Sequence, residues 1–190
     1  LAMERGHELY LLNRGKRNID IPGVKTLTAD INDTAQVSEA LGDLQFDSVT
    51  NWIAFTPDDI ERDISLFKGR TSQYIFISSA SVYQKPLTHY RITESTPLAN
   101  PYWQYSRNKI ACEDRLVHEY RSAEFPFTIV RPSLTYGDQL IPLVVNSWNK
   151  PYTIVDRRRR GKEIIVPGDG NSLWTVTHSD DFAKGFVGLM

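Results

Sequence analysis

The chain alternates short apolar runs with segments whose apolar residues recur every three or four positions. Glu8-Leu9-Tyr10-Leu11-Leu12 is a compact apolar run stopped by Asn13-Arg14-Gly15, the pattern of a strand buried on both faces of a parallel sheet. Val24 to Asp30 predicts a second strand, and Asp33 or Thr34 can cap a helix running through Val37, Ala40 and Leu41. Ser48 to Ala54 reads as a third strand. Pro57 with Asp58 and Asp59 opens a helix that carries Ile60, Ile64 and Phe67 at helical spacing. Tyr74-Ile75-Phe76-Ile77-Ser78-Ser79 is a fourth strand ending in small polar residues. A loop with Pro86, Pro97 and Pro101 leads to a helix from Tyr105 to Arg121, and Phe127 to Val130 forms a fifth strand halted by Arg131-Pro132.

Strands alternating with helices at this rhythm predict an α/β fold built on a parallel sheet with right-handed crossovers. Past residue 140 the pattern loosens. Asp156 to Lys162 is a charged stretch, Pro167 to Asn171 a tight turn, and His178-Ser179-Asp180-Asp181 precedes a helical start through Phe182, Ala183, Phe186 and Val187. At the other end, Leu1 to His7 resembles the last turn of a helix closed by Gly6, so the chain is expected to begin inside a fold.

Composition adds mainly exclusions. The 190 residues suffice for one good-sized α/β domain, and 41% apolar residues can fill its core. The 22 basic and 23 acidic residues nearly cancel, so no global field points to nucleic acid or an acidic membrane surface. No apolar run reaches the roughly 18 residues of a membrane span. Cys112 is the one cysteine and forms no internal disulfide, which makes a reducing cytoplasm the default compartment.

Candidate chemistry centres on Tyr105-Ser106-Arg107-Asn108-Lys109, because a Tyr and a Lys four apart share one helix face. A free phenol titrates near pH 10 and is a poor base at neutrality. A neighbouring ammonium favours the phenolate, which can then take a proton from a substrate hydroxyl while hydride leaves the same carbon. By itself the spacing also describes an ordinary solvated helix face. Ser78 and Ser79 end a strand at the sheet edge that faces ligands in parallel α/β folds. Ser79 can hold the reacting oxygen there, whereas Ser78 is read as satisfying backbone groups. Arg131 to Gly137 follows the next strand, where Pro132 sets an extended turn.

Taken in series, Phe76 to Tyr83, Thr93 to Leu98, Tyr105 to Lys109 and Arg131 to Gly137 resemble the NAD-dependent epimerase/dehydratase family of extended short-chain dehydrogenases. Val166 to Gly170 and His178 to Asp181 extend the likeness over nearly the whole chain. The resemblance implies a Rossmann-type doubly wound sheet in residues 1–137, part of a small substrate-binding lobe in residues 138–175, and a return to the first domain in residues 176–190. It implies Ser79 as the catalytic serine, Tyr105 as acid/base and Lys109 as its partner. Asn13 and Arg14 fall at the adenosine ribose, Asp30 and Ile31 at the adenine, Ala54 on the strand end behind the cofactor, and Pro132 and Ser133 beside the nicotinamide. Ser81, Tyr83 and Tyr136 fall near the substrate. The implied activity is NAD(P)-dependent epimerisation, dehydration or reduction at a hydroxyl or keto group of a nucleotide sugar or similar polyol. A homodimer paired through the Tyr-bearing helix is implied as well. An acidic residue at that ribose position would bind the ribose hydroxyls of NAD, but Arg14 can pair with a 2′-phosphate, so the cofactor reading leans towards NADP.

The family's glycine-rich phosphate loop does not occur in the first twenty residues, and the chain is read as an incomplete record of a longer protein. Arg157-Arg158-Arg159-Arg160 with Lys162 raises a competing class, a non-catalytic NAD(P)-binding or RNA-binding protein of the same fold. Without flanking aromatic stacking residues or a wider basic surface, nucleic acid is the disfavoured partner. His178 with Asp180 and Asp181 lacks a second well-placed ligand and is read as structural, with no metal. Trp103 and Trp174 are assigned to core packing, and Glu94 to a solvated loop.

Overall fold

The computed structural model describes residues 1–16, 21–138, 140, 149–166, 168–171 and 173–190. They divide into two compact units, Leu1–Arg131 with Met190, and Pro132–Leu189. The predicted turn at Pro167 to Asn171 lies partly outside the described residues, because position 167 is not among them.

In the first unit, β1 (Tyr10–Asn13) pairs in parallel with β2 (Lys25–Thr28), Tyr10 opposite Lys25 and Asn13 opposite Thr28. After α1 (Thr34–Leu41) comes β3 (Val49–Asn51), then α2 (Pro57–Phe67), β4 (Tyr74–Ile77), α3 (Gln104–Ala123) and β5 (Phe127–Val130). β4 is the middle strand of a parallel β3-β4-β5 sheet. All four of its residues are buried, which is why Tyr74-Ile75-Phe76-Ile77 is uniformly apolar in sequence.

β1 departs from expectation. It alternates half-buried with exposed: Tyr10 meets the Phe46 ring edge-on at 5.6 Å and Leu12 packs on the core, but Leu11 is 42% exposed. A period-two strand sends alternate side chains to opposite faces, and only one face here meets the cluster of Val37, Ile60, Ile64, Tyr74, Phe76 and Leu116.

Local chemistry sets the helix starts. The Asp33 side chain accepts the Gln36 N–H and caps α1. Thr56 and Asp59 form a reciprocal capping box ahead of α2, with Pro57 in its first turn. α2 packs between α1 and α3. A buried polar tie joins α2 to the sheet: the Asp63 carboxylate accepts the Tyr74 hydroxyl at 2.5 Å and the Asn51 amide. Asn51 in turn accepts the Ile53 N–H at 2.7 Å, which steers the chain leaving β3. Burial pushes the Asp63 carboxyl above the ordinary carboxylate range.

The second unit holds β6 (Leu134–Tyr136), α4 (Thr153–Arg159), β7 (Val176–His178) and α5 (Ser179–Val187), with β6 and β7 paired in parallel. The strand at Leu134–Tyr136, read from sequence as a turn, arises from that long-range pairing. Gly137 follows it closely against α5, where a Cβ would stand 2.9 Å from the Ser179 hydroxyl. The charged stretch that begins at Asp156 is largely helical.

Candidate functional site

Ser79, Tyr105, Lys109 and Ala54 come together at the carboxyl ends of β3 and β4. Ser79 follows β4 and opens a short 3-10 turn at Ala80–Val82, its hydroxyl accepting the Ser81 N–H at 3.2 Å. Tyr105 and Lys109 lie one turn apart at the start of α3. The Tyr105 ring packs 4.7 Å from Trp103 and 6.3 Å from Phe55 between centroids. Burial pushes the Tyr105 phenol above its ordinary value, and hydrogen bonding with Ser79 pulls it back in part.

Lys109 is 1% exposed. Its ammonium donates to the carbonyls of Ala54 at 2.6 Å and Ile77 at 2.7 Å, tying α3 to the ends of two neighbouring strands. It also lies 4.7 Å from the Phe76 ring centroid, 4.8 Å from that of Phe55 and 5.7 Å from that of Tyr105. Two of its three N–H donors are thereby accounted for. Burial lowers its pKa to about 8. The folded protein thus holds this proton less tightly than the unfolded chain, and unfolding takes up a proton between about pH 8 and the ordinary 10.5. Fold stability should therefore rise with pH across that window. Urea midpoints measured against pH should show the rise in the native protein and lose it in Lys109→Met.

The face of α3 that carries Lys109 is polar and buried: Ser106, Lys109, Cys112, Glu113, Leu116 and Glu119 point inwards. Glu113 sits one turn beyond Lys109 and is 2% exposed. Its carboxylate accepts the Ser78 hydroxyl and a two-pronged Arg131 guanidinium, with Nη2 at 2.6 Å and Nε at 3.0 Å. Arg131 also donates to the Tyr83 hydroxyl at 3.1 Å and covers the Tyr83 ring. Ser78 thus serves a buried carboxylate, not the backbone. Sequence reasoning missed Glu113, and its spacing of four from Lys109 is the signal that was there to read.

At the ends of β1 and β2 the structure gathers a second polar group. Arg14 approaches Asp30 at 3.8 Å, while Asn13 turns its side chain back to accept the Gly15 N–H at 2.7 Å. Asp30 accepts the Asn32 N–H, and Ile31 packs partly into the core. In the second unit Pro132 is half-buried and Ser133 exposed, and Tyr136 meets His178 edge-on at 5.1 Å. The His178 imidazole accepts the Asp180 N–H and caps α5. The core assignments for the tryptophans are corrected: Trp103 is 54% and Trp174 51% exposed. Trp103 instead flanks Tyr105, because the loop before α3 leaves it at the rim of the site. Arg157 to Arg160 are exposed on and just past α4, and Glu94 is exposed in its loop. Among the described residues no helix is long and apolar enough to cross a membrane.

The model of the NAD-dependent epimerase/dehydratase family matches residues 1–190. The chain belongs to that family. Its fold is that of Rossmann-type members. It superposes on a UDP-glucose 4-epimerase from Thermotoga maritima, solved with UDP-glucose, with a TM-score of 0.77 at 16% identity, covering 99% of this chain and 67% of that one. A dTDP-glucose 4,6-dehydratase from Bacillus anthracis in complex with NAD gives 0.73 at 18% identity, over 97% of this chain and 64% of that one. A UDP-glucuronic acid 4-epimerase from Bacillus cereus, with UDP-glucuronic acid and NAD, gives 0.73 at 16%, over 98% and 66%. A curated relative, the uncharacterized protein y4nG of Sinorhizobium fredii, is 28% identical over 182 residues, 87% of this chain and 43% of that protein. The chain thus spans under half of that relative and about two thirds of these solved structures.

Proposed function

We propose that the chain forms the catalytic part of an NAD(P)-dependent epimerase, dehydratase or reductase acting on a hydroxyl or keto carbon of a nucleotide sugar. The observation that carries this reading is the buried Lys109 ammonium 5.7 Å from the Tyr105 ring centroid, with Ser79 acting on the same phenol. When bound, a nicotinamide dinucleotide supplies the hydride donor or acceptor. Tyr105 exchanges the proton of the substrate oxygen, Ser79 donates to that oxygen, and Lys109 offers its remaining N–H to a ribose hydroxyl. Because burial favours the protonated phenol, Tyr105 starts as the acid, suited to a carbonyl oxygen that gains a proton as its carbon is reduced. The donor set fits a dinucleotide: Arg14 stands free enough at 3.8 Å from Asp30 to turn towards a 2′-phosphate, and Asn13 and Asp30 can receive the adenosine end. Pro132 and Ser133 complete the proposed cofactor contacts. Ser81, Tyr83 and Tyr136 are proposed as substrate residues from the family likeness, and residues 138–175 as part of a substrate lobe.

The test is titration by fluorescence of NADPH and NADH into the protein extended to include the family's glycine-rich phosphate loop, followed by turnover assays with UDP- and dTDP-hexoses. Selective dinucleotide binding with turnover of one such sugar is expected, and failure to bind either dinucleotide overturns the reading. In the same titration Arg14→Ala should weaken NADPH roughly tenfold and leave NADH nearly unchanged, as loss of one charge-assisted contact implies.

A further inference from the structure

Beside Ser79 lies a run of polar side chains that neither the lysine nor the buried carboxylate uses. Asn100 is 7% exposed and Ser106 fully buried, so each needs partners inside the fold. The Asn100 amide is oriented at both ends: its oxygen accepts the Tyr102 N–H at 3.1 Å, and its nitrogen donates to the Ser81 carbonyl at 2.7 Å. That nitrogen also donates to the Ser106 hydroxyl at 3.3 Å. The Ser106 hydroxyl donates to that of Ser81 at 2.9 Å, and the Ser81 hydroxyl donates to that of Ser79 at 2.9 Å. The Ser79 oxygen receives the Ser81 N–H as well.

A hydroxyl has one proton to give and two lone pairs to fill. An amide nitrogen can only donate, so it fills one lone pair of Ser106, and the donations then run on from Ser106 to Ser81 and from Ser81 to Ser79. Once both lone pairs of Ser79 are filled by Ser81, its proton is left to donate elsewhere, and Ser79 favours the Tyr105 phenolate, as a donor to it would. We propose that Asn100, Ser106 and Ser81 form a one-way hydrogen-bond chain that holds the Ser79 hydroxyl as a donor towards Tyr105 and the reacting substrate oxygen. Asn100 and Ser106 are then positioning residues that act through Ser79. The two ends of the chain are registered to each other by α3, since Ser106 follows Tyr105 directly in its first turn. Successive donations also polarise one another, which strengthens the last bond of the series. As negative charge develops on the phenol or the substrate oxygen, a donor already aimed at it needs no reorientation.

This inference rests on the proposed role of Tyr105, but it can be tested without a substrate. The titration of Tyr105 is isolated by subtracting the ultraviolet alkaline titration of Tyr105→Phe from that of each parent protein. Ser106→Ala removes one link. Asn100→Asp keeps the shape but replaces the donor by an acceptor, which draws the Ser106 proton away from Ser81. Both should move the phenolate transition to higher pH, whereas Ser106→Thr, which restores a hydroxyl, should titrate like the parent. Circular dichroism and dinucleotide titration identify the variants that keep the native fold, and either of the two disrupting variants suffices for the comparison. An unmoved transition in the folded disrupting variants overturns the chain, as does an equal shift in Ser106→Thr, which would mark packing as the cause. If a sugar substrate is found, kcat should fall on the order of tenfold in Ser106→Ala with KM little changed, the split expected for loss of an interaction made in the transition state. Retained turnover in Tyr105→Phe would instead sink the assignment of Tyr105 and leave the titration result standing.

Discussion

Replacing Tyr105 by phenylalanine is expected to lower kcat by about 10²- to 10⁴-fold, the range over which general acid–base groups contribute, with dinucleotide affinity essentially unchanged. The substitution is unusually clean at this position. Phenylalanine keeps the ring against Trp103 and Phe55 and keeps the contact with the Lys109 ammonium, so only the hydroxyl is lost. Packing and the lysine's two carbonyl bonds are left in place. The measurement pairs steady-state kinetics on a turned-over sugar with fluorescence titration of the dinucleotide. Turnover within a few-fold of the native protein would remove Tyr105 from the chemistry.

Glu113→Ala should cost the fold about 3–5 kcal/mol, the usual penalty for removing one partner of a buried ion pair. The carboxylate is 2% exposed and serves Ser78 and Arg131 together, and the Arg131 side chain is only 20% exposed. Truncation therefore strands a guanidinium whose remaining hydrogen-bond partner among the described residues is the Tyr83 hydroxyl. Glu113→Gln should lose less, since an amide oxygen still accepts from Arg131. Urea denaturation of the three proteins checks the order. The Arg115–Glu61 pair provides the contrast: Glu61 is 54% exposed and Arg115 keeps Glu119 as a partner, so Glu61→Ala should cost under about 1 kcal/mol. A loss of similar size at both glutamates would contradict the burial argument.

Much of the fold was legible because its signals are local. Pro57 with its flanking Thr56 and Asp59 marks the start of α2, Asp33 caps α1, and Tyr74 to Ile77 reads as a fully buried strand from apolarity alone. The Tyr105–Lys109 spacing was equally visible, since helical period places the two residues on one side of α3. That side looked solvated in sequence because it carries Ser106, Lys109, Glu113 and Glu119. It is buried because each polar group finds a partner on another element, and a partner 18 to 55 residues away leaves no local mark.

The same reason separates the remaining cases. The sequence by itself determined the α/β alternation, the family, and which residue types stand at the strand ends. These follow from period, capping chemistry and motif order, all of which act over a few residues. Only the tertiary structure decided that β1 buries one face, that Trp103 flanks Tyr105, and that Leu134–Tyr136 forms a strand with Val176–His178. It also decided that Ser78 serves Glu113 and that Asn100 and Ser106 line up behind Ser79. Burial and hydrogen-bond direction belong to pairs of distant groups. They come into being when the chain closes on itself and water is excluded from between them.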